Sequence, residues 1–183
     1  MKNTFFYIIL FLISFGLLSC ENDIKDIEAI ERQVDNTDWF KDIELSYSDS
    51  ARIRVLISAP IMESKYEHNR ISEDNFPEGL EVDFFDEKGV ANSWLSAKRA
   101  KRFPQKNLIV VRDSVVLYNI EGDTLRTDEL FWDNKDGQIY TERVFRYSKA
   151  DGERIFGRKF RSDQSFTEYS LEKMSGKIKQ VVE

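Results

Sequence analysis

The 183-residue chain holds a single cysteine, Cys20, and a single histidine, His68. One thiol allows no internal disulfide. One histidine and one thiol cannot assemble a histidine-rich or thiolate zinc site, nor do they suggest a Cys-His nucleophilic pair. No Gly-x-Ser-x-Gly elbow accompanies His68 to suggest a serine triad, and its setting, Tyr66-Glu67-His68-Asn69, is that of a solvated loop. Glycine is also scarce, at eight residues, and no Gly-rich phosphate loop occurs. Basic excess is missing too: 27 Lys and Arg face 33 Asp and Glu, a formal charge of −6, opposite in sign to that of a nucleic-acid-binding domain. Asp133-Asn134-Lys135-Asp136-Gly137 fails as a calcium loop. With Gly137 sixth, Trp132 and Arg143 occupy the first and twelfth places, where carboxylates are needed. The segment reads as a hairpin turn. A glycosidase needs only two carboxylates, and nothing among the 33 acidic residues singles out a pair. The expectation is a protein that is not an enzyme, with no metal, no cofactor and no nucleic-acid partner.

What is present begins at the N-terminus. Lys2 precedes an apolar run from Phe5 to Phe15, then Leu17-Leu18-Ser19-Cys20 and the polar Glu21-Asn22-Asp23. A positive end, a short apolar core and small residues before a cut make a secretory signal, too short to span a bilayer comfortably. The Leu-x-Ser-Cys ending resembles the bacterial lipobox. That resemblance implies removal of residues 1–19, diacylglycerol on the Cys20 thiol, and two or three acyl chains holding the protein durably to a membrane. Removing residues 1–19 leaves 164 of the 183 residues and takes away one lysine, so the charge becomes −7. That length suits one domain with a core of its own.

Residues 20–44 are expected to be the lipidated N-terminus and a tether. Its acidic residues face only Lys25 and Arg32 before Trp39, and Ile24, Ile27, Ile30 and Val34 form a stripe wide enough for only one short helix. From about Trp39 the hydrophobic period changes to two, and residues 45–183 read as one β domain. Ile53, Val55 and Ile57 alternate with polar or outward residues. Leu80, Val82 and Phe84 do likewise, as do Leu95 with Ala97 and Val115 with Leu117. Such alternation marks strands with one buried face. Turn signals separate them at Asp86–Gly89, Glu121–Asp123, Asn134–Gly137, Lys149–Gly152 and Ser175-Gly176. Short strands at even spacing predict an all-β sandwich, jellyroll or barrel built from antiparallel strands. A faint repeat supports strand pairing. Strands open after polar turns at Arg52, Val90, Thr124 and Arg154, and each is followed by an aromatic segment at Tyr66, Phe103, Phe131-Trp132 and Phe160. The densest positive charge is Lys98-Arg99 with Lys101-Arg102. It reads either as a solvated edge that discourages strand-to-strand aggregation or as a phosphate contact.

The run Asn75-Phe76-Pro77-Glu78-Gly79-Leu80-Glu81-Val82-Asp83-Phe84-Phe85-Asp86 resembles the LptC family, the periplasmic components of lipopolysaccharide export. So do Gly122-Asp123-Thr124-Leu125-Arg126-Thr127-Asp128-Glu129-Leu130, Trp132 and the Gly157–Phe160 segment. The resemblance covers most of residues 45–175. It implies a twisted, open β-jellyroll in a single domain, whose apolar interior holds lipopolysaccharide acyl chains. It also implies docking on the inner-membrane ABC lipopolysaccharide exporter and edge-to-edge passage of lipid to a periplasmic jellyroll bridge protein. The lipobox replaces the transmembrane helix of the best-known members, so the expected location is the periplasm, anchored by lipid with the inner membrane favoured. The rows expected to line the groove are Ile53, Val55, Ile57; Leu80, Val82, Phe84; Leu95, Ala97; and Val115, Leu117. Two other classes compete. One is a carbohydrate- or substrate-binding surface lipoprotein, with Trp94 and Trp132 stacking on sugars. The other is a hydrolase using a carboxylate pair.

Overall fold

The computed structural model describes residues 36–177. Cys20, the signal segment and the isoleucine stripe at 24–34 lie outside the described residues. The described residues form a compact unit by themselves, and every described core side chain lies within it. Its elements are β1 (Thr37–Asp49), β2 (Arg52–Glu67), β3 (Arg70–Phe76), β4 (Leu80–Phe85), β5 (Ala91–Ala97) and β6 (Arg99–Phe103). A single 3-10 turn at Pro104–Lys106 follows, then β7 (Leu108–Asn119), β8 (Thr124–Asp133), β9 (Gln138–Ser148), β10 (Arg154–Asp163) and β11 (Tyr169–Lys177). All pairings are antiparallel and all eleven strands belong to one sheet. The domain is all-β and jellyroll-like, as the alternation predicts.

The topology simplifies once pairing is followed. β3 and β4 lie end to end along β2, facing Glu63–Glu67 and Val55–Ser58 respectively. β5 and β6 lie end to end along β7 in the same manner. Counting each pair as one interrupted strand, the eleven strands are a nine-rung up-and-down meander from β1 to β11. The predicted repeat is this meander seen in sequence. β2, β5 continued by β6, β8 and β10 all start at one end of the sheet and carry their aromatics toward the other.

Every rung is interrupted at the same level. Asp42 in β1, Asp113 and Ser114 in β7, Lys159 in β10 and Lys173 in β11 have positive φ. Pro60 of β2 stands opposite Asp42, the Pro77–Gly79 turn separates β3 from β4, and Lys98 separates β5 from β6. Register shifts fall between Thr127 and Phe131 on β8 and between Arg158 and Phe160 on β10. Bulges bend strands, and a row of them at one level creases the sheet into two leaves. Leaf I holds β4, β5 and the halves of β1, β2 and β7–β11 on their side of the crease; leaf II holds β3, β6 and the remaining halves. Strands that pass from one layer to the other through bends make the corners of a sandwich. Gly79 is required at its corner. Its φ is +91°, and a Cβ there would stand 2.4 Å from the Ala97 carbonyl oxygen. Gly157 is required for a different reason, since its Cβ would stand 2.7 Å from Phe145 Cζ.

The inner faces of the leaves meet in one core. Phe84 of leaf I packs edge-on to Trp132 of leaf II, with centroids 5.1 Å apart, and Phe145 packs against Phe160 at 5.8 Å. Phe166, from the β10–β11 turn, closes one end of the core and contacts Tyr147 at 5.8 Å. Two hydrogen bonds pin that turn: Ser93 Oγ donates to the Gln164 carbonyl at 2.6 Å, and Asn119 Nδ2 donates to the Phe166 carbonyl at 3.2 Å.

Three expectations change. The tether boundary at residue 44 falls inside β1, which begins at Thr37. Asp38, Lys41 and the bulged Asp42 interrupt the apolar alternation that would have marked the strand. Ser175-Gly176 is not a turn but lies within β11, with Gly176 opposite Ile155. Ile53 does not point inward and is 47% exposed. The ladder steps from Ser48↔Ile53 to Tyr47↔Val55, leaving Arg54 as an extra residue that puts Ile53 and Val55 on opposite faces.

Candidate functional site

The structure gathers the remaining predicted rows into one layer. Val55 and Ile57 of β2 lie beside Phe84 and Val82 of β4, Val82 and Leu80 beside Leu95 and Ala97 of β5, and Leu95 beside Leu117 of β7. Val115 continues the layer toward the crease. All but Ala97 are buried; Ala97 is half-buried and packs against the core edge. They face the other leaf rather than an empty channel: Ile109, Val111, Leu130, Trp132 and Ile139 fill the space opposite. In the structure these rows are therefore a packed core.

Burial is not uniform across the sheet. In β4, β7 and β8 the inward side chains are fully covered. Toward the ends of the meander it weakens: Ile43, Leu45 and Tyr47 of β1, Ile155 of β10 and Leu171 of β11 are only partly buried against the core. Among the described residues β1 pairs with β2 alone and β11 with β10 alone. The sheet does not close, and the apolar interior is least covered beside its two free edges. Sequence reading missed Ile43, Leu45 and Tyr47, although their period-two spacing was the available signal.

Beside this apolar layer sits a buried polar network. Asp74, fully buried on β3, accepts hydrogen bonds from Ser64 Oγ at 2.5 Å and Arg102 Nε at 2.6 Å, and Arg102 Nη2 adds a contact at 2.5 Å. Arg102 Nη1 donates to the Tyr47 hydroxyl at 2.8 Å. The network ties the edge strand β1 to leaf II across the interior. A second buried hydroxyl, that of Tyr147, donates to Asp123 Oδ2 at 2.6 Å. Burial and then that hydrogen bond push its pKa far above the ordinary tyrosine value. Trp132 Nε1 is buried with no partner, a donor whose lost hydration nothing repays.

The basic cluster at 98–102 is mostly neutralised. Arg99 pairs with Asp113, Lys101 with Glu73 at 2.7 Å, and Arg102 with Asp74. The Arg99 guanidinium holds Asp113 below the usual carboxylate range. Lys98 is exposed and lines a crease cleft of about 600 Å³ with Asp42, Glu44, Glu78 and Glu81 among small and apolar residues. Those four acids make the cleft unsuited to an anion. His68 sits exposed with positive φ in the β2–β3 turn. Asp133–Gly137 forms the β8–β9 hairpin turn, in which Asp133 Oδ1 accepts from the Lys135 and Asp136 amides at 3.0 and 3.2 Å. Among the described residues no group of three or more His, Cys, Asp or Glu is arranged to hold a metal ion. Of the two tryptophans expected to stack on sugars, Trp132 is 0% exposed. Trp94 lies on the outer face, stacked on Tyr118 at 5.1 Å.

Fold and interior together define the class: an open, jellyroll-like antiparallel domain with an apolar interior and two unjoined edges. No protein-family model matches the chain, and no curated protein matches it.

Proposed function

We propose that the protein is a lipid-anchored periplasmic component of lipopolysaccharide export. In this reading Cys20 carries the anchor, and the interior takes up acyl chains between the two leaves from the side of the free edges. One observation carries the reading. The inner apolar surface runs unbroken from the buried centre of the sheet to the partly covered Ile43, Leu45 and Tyr47 at the β1 edge. Acyl chains moving through an aqueous compartment need such a surface, because each Å² of apolar area removed from water contributes about 25 cal/mol. The core is filled by its own side chains, so loading requires the leaf I half of β1, from Ile43 to Tyr47, to part from leaf II. The Arg102–Tyr47 hydrogen bond is the contact that must yield. The free edges suit strand addition to neighbouring jellyroll proteins. The inner-membrane ABC exporter would supply the energy. Phe84 and Trp132, one from each of the two segments whose resemblance prompts this reading, lie in direct contact in this interior, with centroids 5.1 Å apart.

Photo-crosslinking in living cells tests the proposal. A photoreactive residue replacing Leu45 or Val55 is expected to capture lipopolysaccharide, and one replacing the outward Ser46 is not. Capture from none of the inward positions would overturn the conduit reading, as would equal capture from Ser46.

A further inference from the structure

The outer face of leaf I carries a surface that the interior reading does not use. Arg126 of β8 stands directly opposite Arg146 of β9, and Arg146 stands opposite Phe156 of β10. One step along each ladder, Val144 is opposite Arg158, and Arg154 follows two residues before Phe156 on the same face. All four arginines are exposed, and among the described residues none of them makes an ion pair. Acids border the patch and its extension. Asp128 lines the cleft at the crease, Glu172 lies opposite Arg158 with its carboxylate 3.7 Å from Lys159, and Asp83 stands opposite Trp94. Several other cations on the sheet meet acids: Arg112 and Arg143 share Glu129, Lys101 meets Glu73 and Arg102 meets Asp74. Like charges placed opposite each other across a ladder are destabilising. An acidic chain that leaves four arginines together without counter-charge therefore carries a local feature at odds with its own net charge.

The arginines surround exposed apolar side chains. Val144 is 54% and Phe156 45% exposed, and both line a shallow cleft of about 450 Å³ with Val116, Arg126 and Arg146. The stacked Trp94–Tyr118 pair extends this face on the β5–β7 side. Apolar and aromatic groups ringed by arginines match the interface of an anionic bilayer: the rings enter the headgroup region while guanidinium groups meet lipid phosphates. We infer that the Arg126–Arg146–Phe156 face of the sheet docks on the surface of a membrane containing anionic phospholipid. Docking through it would set the outer face of leaf I against the bilayer and leave the β1 edge, at the other end of the sheet, uncovered. The inference does not depend on whether lipid passes through the interior.

Residues 36–183, which contain the whole described core and exclude Cys20, are the material for the test. They are mixed with vesicles of phosphatidylcholine alone or with about 30% phosphatidylglycerol and sedimented. Binding is expected only to the anionic vesicles and should weaken as salt rises. Arg126→Glu/Arg146→Glu should reduce it by at least about tenfold, and Phe156→Ser should reduce it as well. Excess inorganic phosphate should fail to displace the protein, because the site is a surface and not an anion pocket. Thermal melting keeps the result interpretable. These side chains are exposed and unpaired, so the charge-reversed variant should melt no lower than the parent. No binding to anionic vesicles overturns the inference. Undiminished binding by a folded charge-reversed variant does so too, as does full displacement by phosphate.

Discussion

Arg102 shows how one side chain joins two parts of the molecule. Its neighbours Lys98, Arg99 and Lys101 are exposed or half-exposed, but Arg102 turns inward to a carboxylate with no solvent contact. A buried ion pair is weak as a source of net stability, because desolvation consumes most of the Coulombic gain. Breaking it from one side is another matter, since Asp74 would keep an uncompensated charge in a dry interior. Arg102→Leu is expected to lower stability by about 3–5 kcal/mol, measured by denaturant unfolding. Arg102→Leu combined with Asp74→Leu should recover much of that loss. Failure of the double variant to recover would show that packing around the arginine stem, rather than charge, dominates.

At the scale of elements the crease decides the architecture, and its chemistry can be tested by pH. Glu129 stands on β8 just beyond the bend and joins both neighbouring strands. Arg112 of β7 donates from Nε to Oε2 at 2.7 Å, and Arg143 of β9 donates from Nε to Oε1 at 3.1 Å. The Arg112 hydrogen bond is the largest influence on the Glu129 carboxyl; burial opposes it, and the Arg143 hydrogen bond adds to it, so the pKa lies below its ordinary value. A carboxylate whose folded pKa is depressed contributes its stability in full above the unfolded pKa and loses it as pH falls through the folded one. Both arginines are well exposed, so the contribution is modest, about 0.5–1 kcal/mol. Glu129→Gln should therefore be less stable than the parent at neutral pH, with the gap closing as the solution is acidified below about pH 4. A gap independent of pH would remove the ion pair as its cause. The same crease explains the placement of Gly79. A positive-φ corner pressed against the Ala97 carbonyl has no room for a β-carbon.

For the molecule as a whole, the open meander makes the two ends of the sheet unequal to its middle. β7 and β8 have neighbours on both sides and inward side chains covered by the opposite leaf. β1 and β11 each have one neighbour. Local opening follows such differences in burial and pairing. Amide exchange in the unloaded protein is expected to be slowest in β7 and β8 and fastest in β1 and β11. Adding lipopolysaccharide should slow exchange at Ile43–Tyr47 more than anywhere in β7. Slowing confined to β7 and β8, with β1 unchanged, would place any lipid access away from the β1 edge.

Period-two alternation and the spacing of turn residues made the all-β class, the positions of β4, β5, β7 and β8, and the inward register of Val82, Phe84, Leu95 and Leu117 legible in the chain itself. These depend only on neighbours along one strand. The same reasoning misplaced Ile53 and overlooked the start of β1, because a bulge shifts the phase and its position depends on the partner strand. Nothing in the local pattern could reveal that Asp42, Pro60, Gly79, Lys98, Asp113 and Lys159 share one line, since they are brought level by pairing between strands. Whether the inward rows border a trough or fill a core was likewise decided by the second leaf, whose Trp132 and Ile109 occupy the space opposite them. The four unpaired arginines on the outer face became visible only with the ladder register, because Arg126, Arg146, Arg154 and Arg158 come from three strands. Charge along a sequence is fixed by composition, whereas counter-charge is a matter of distance, and distance is set by the fold.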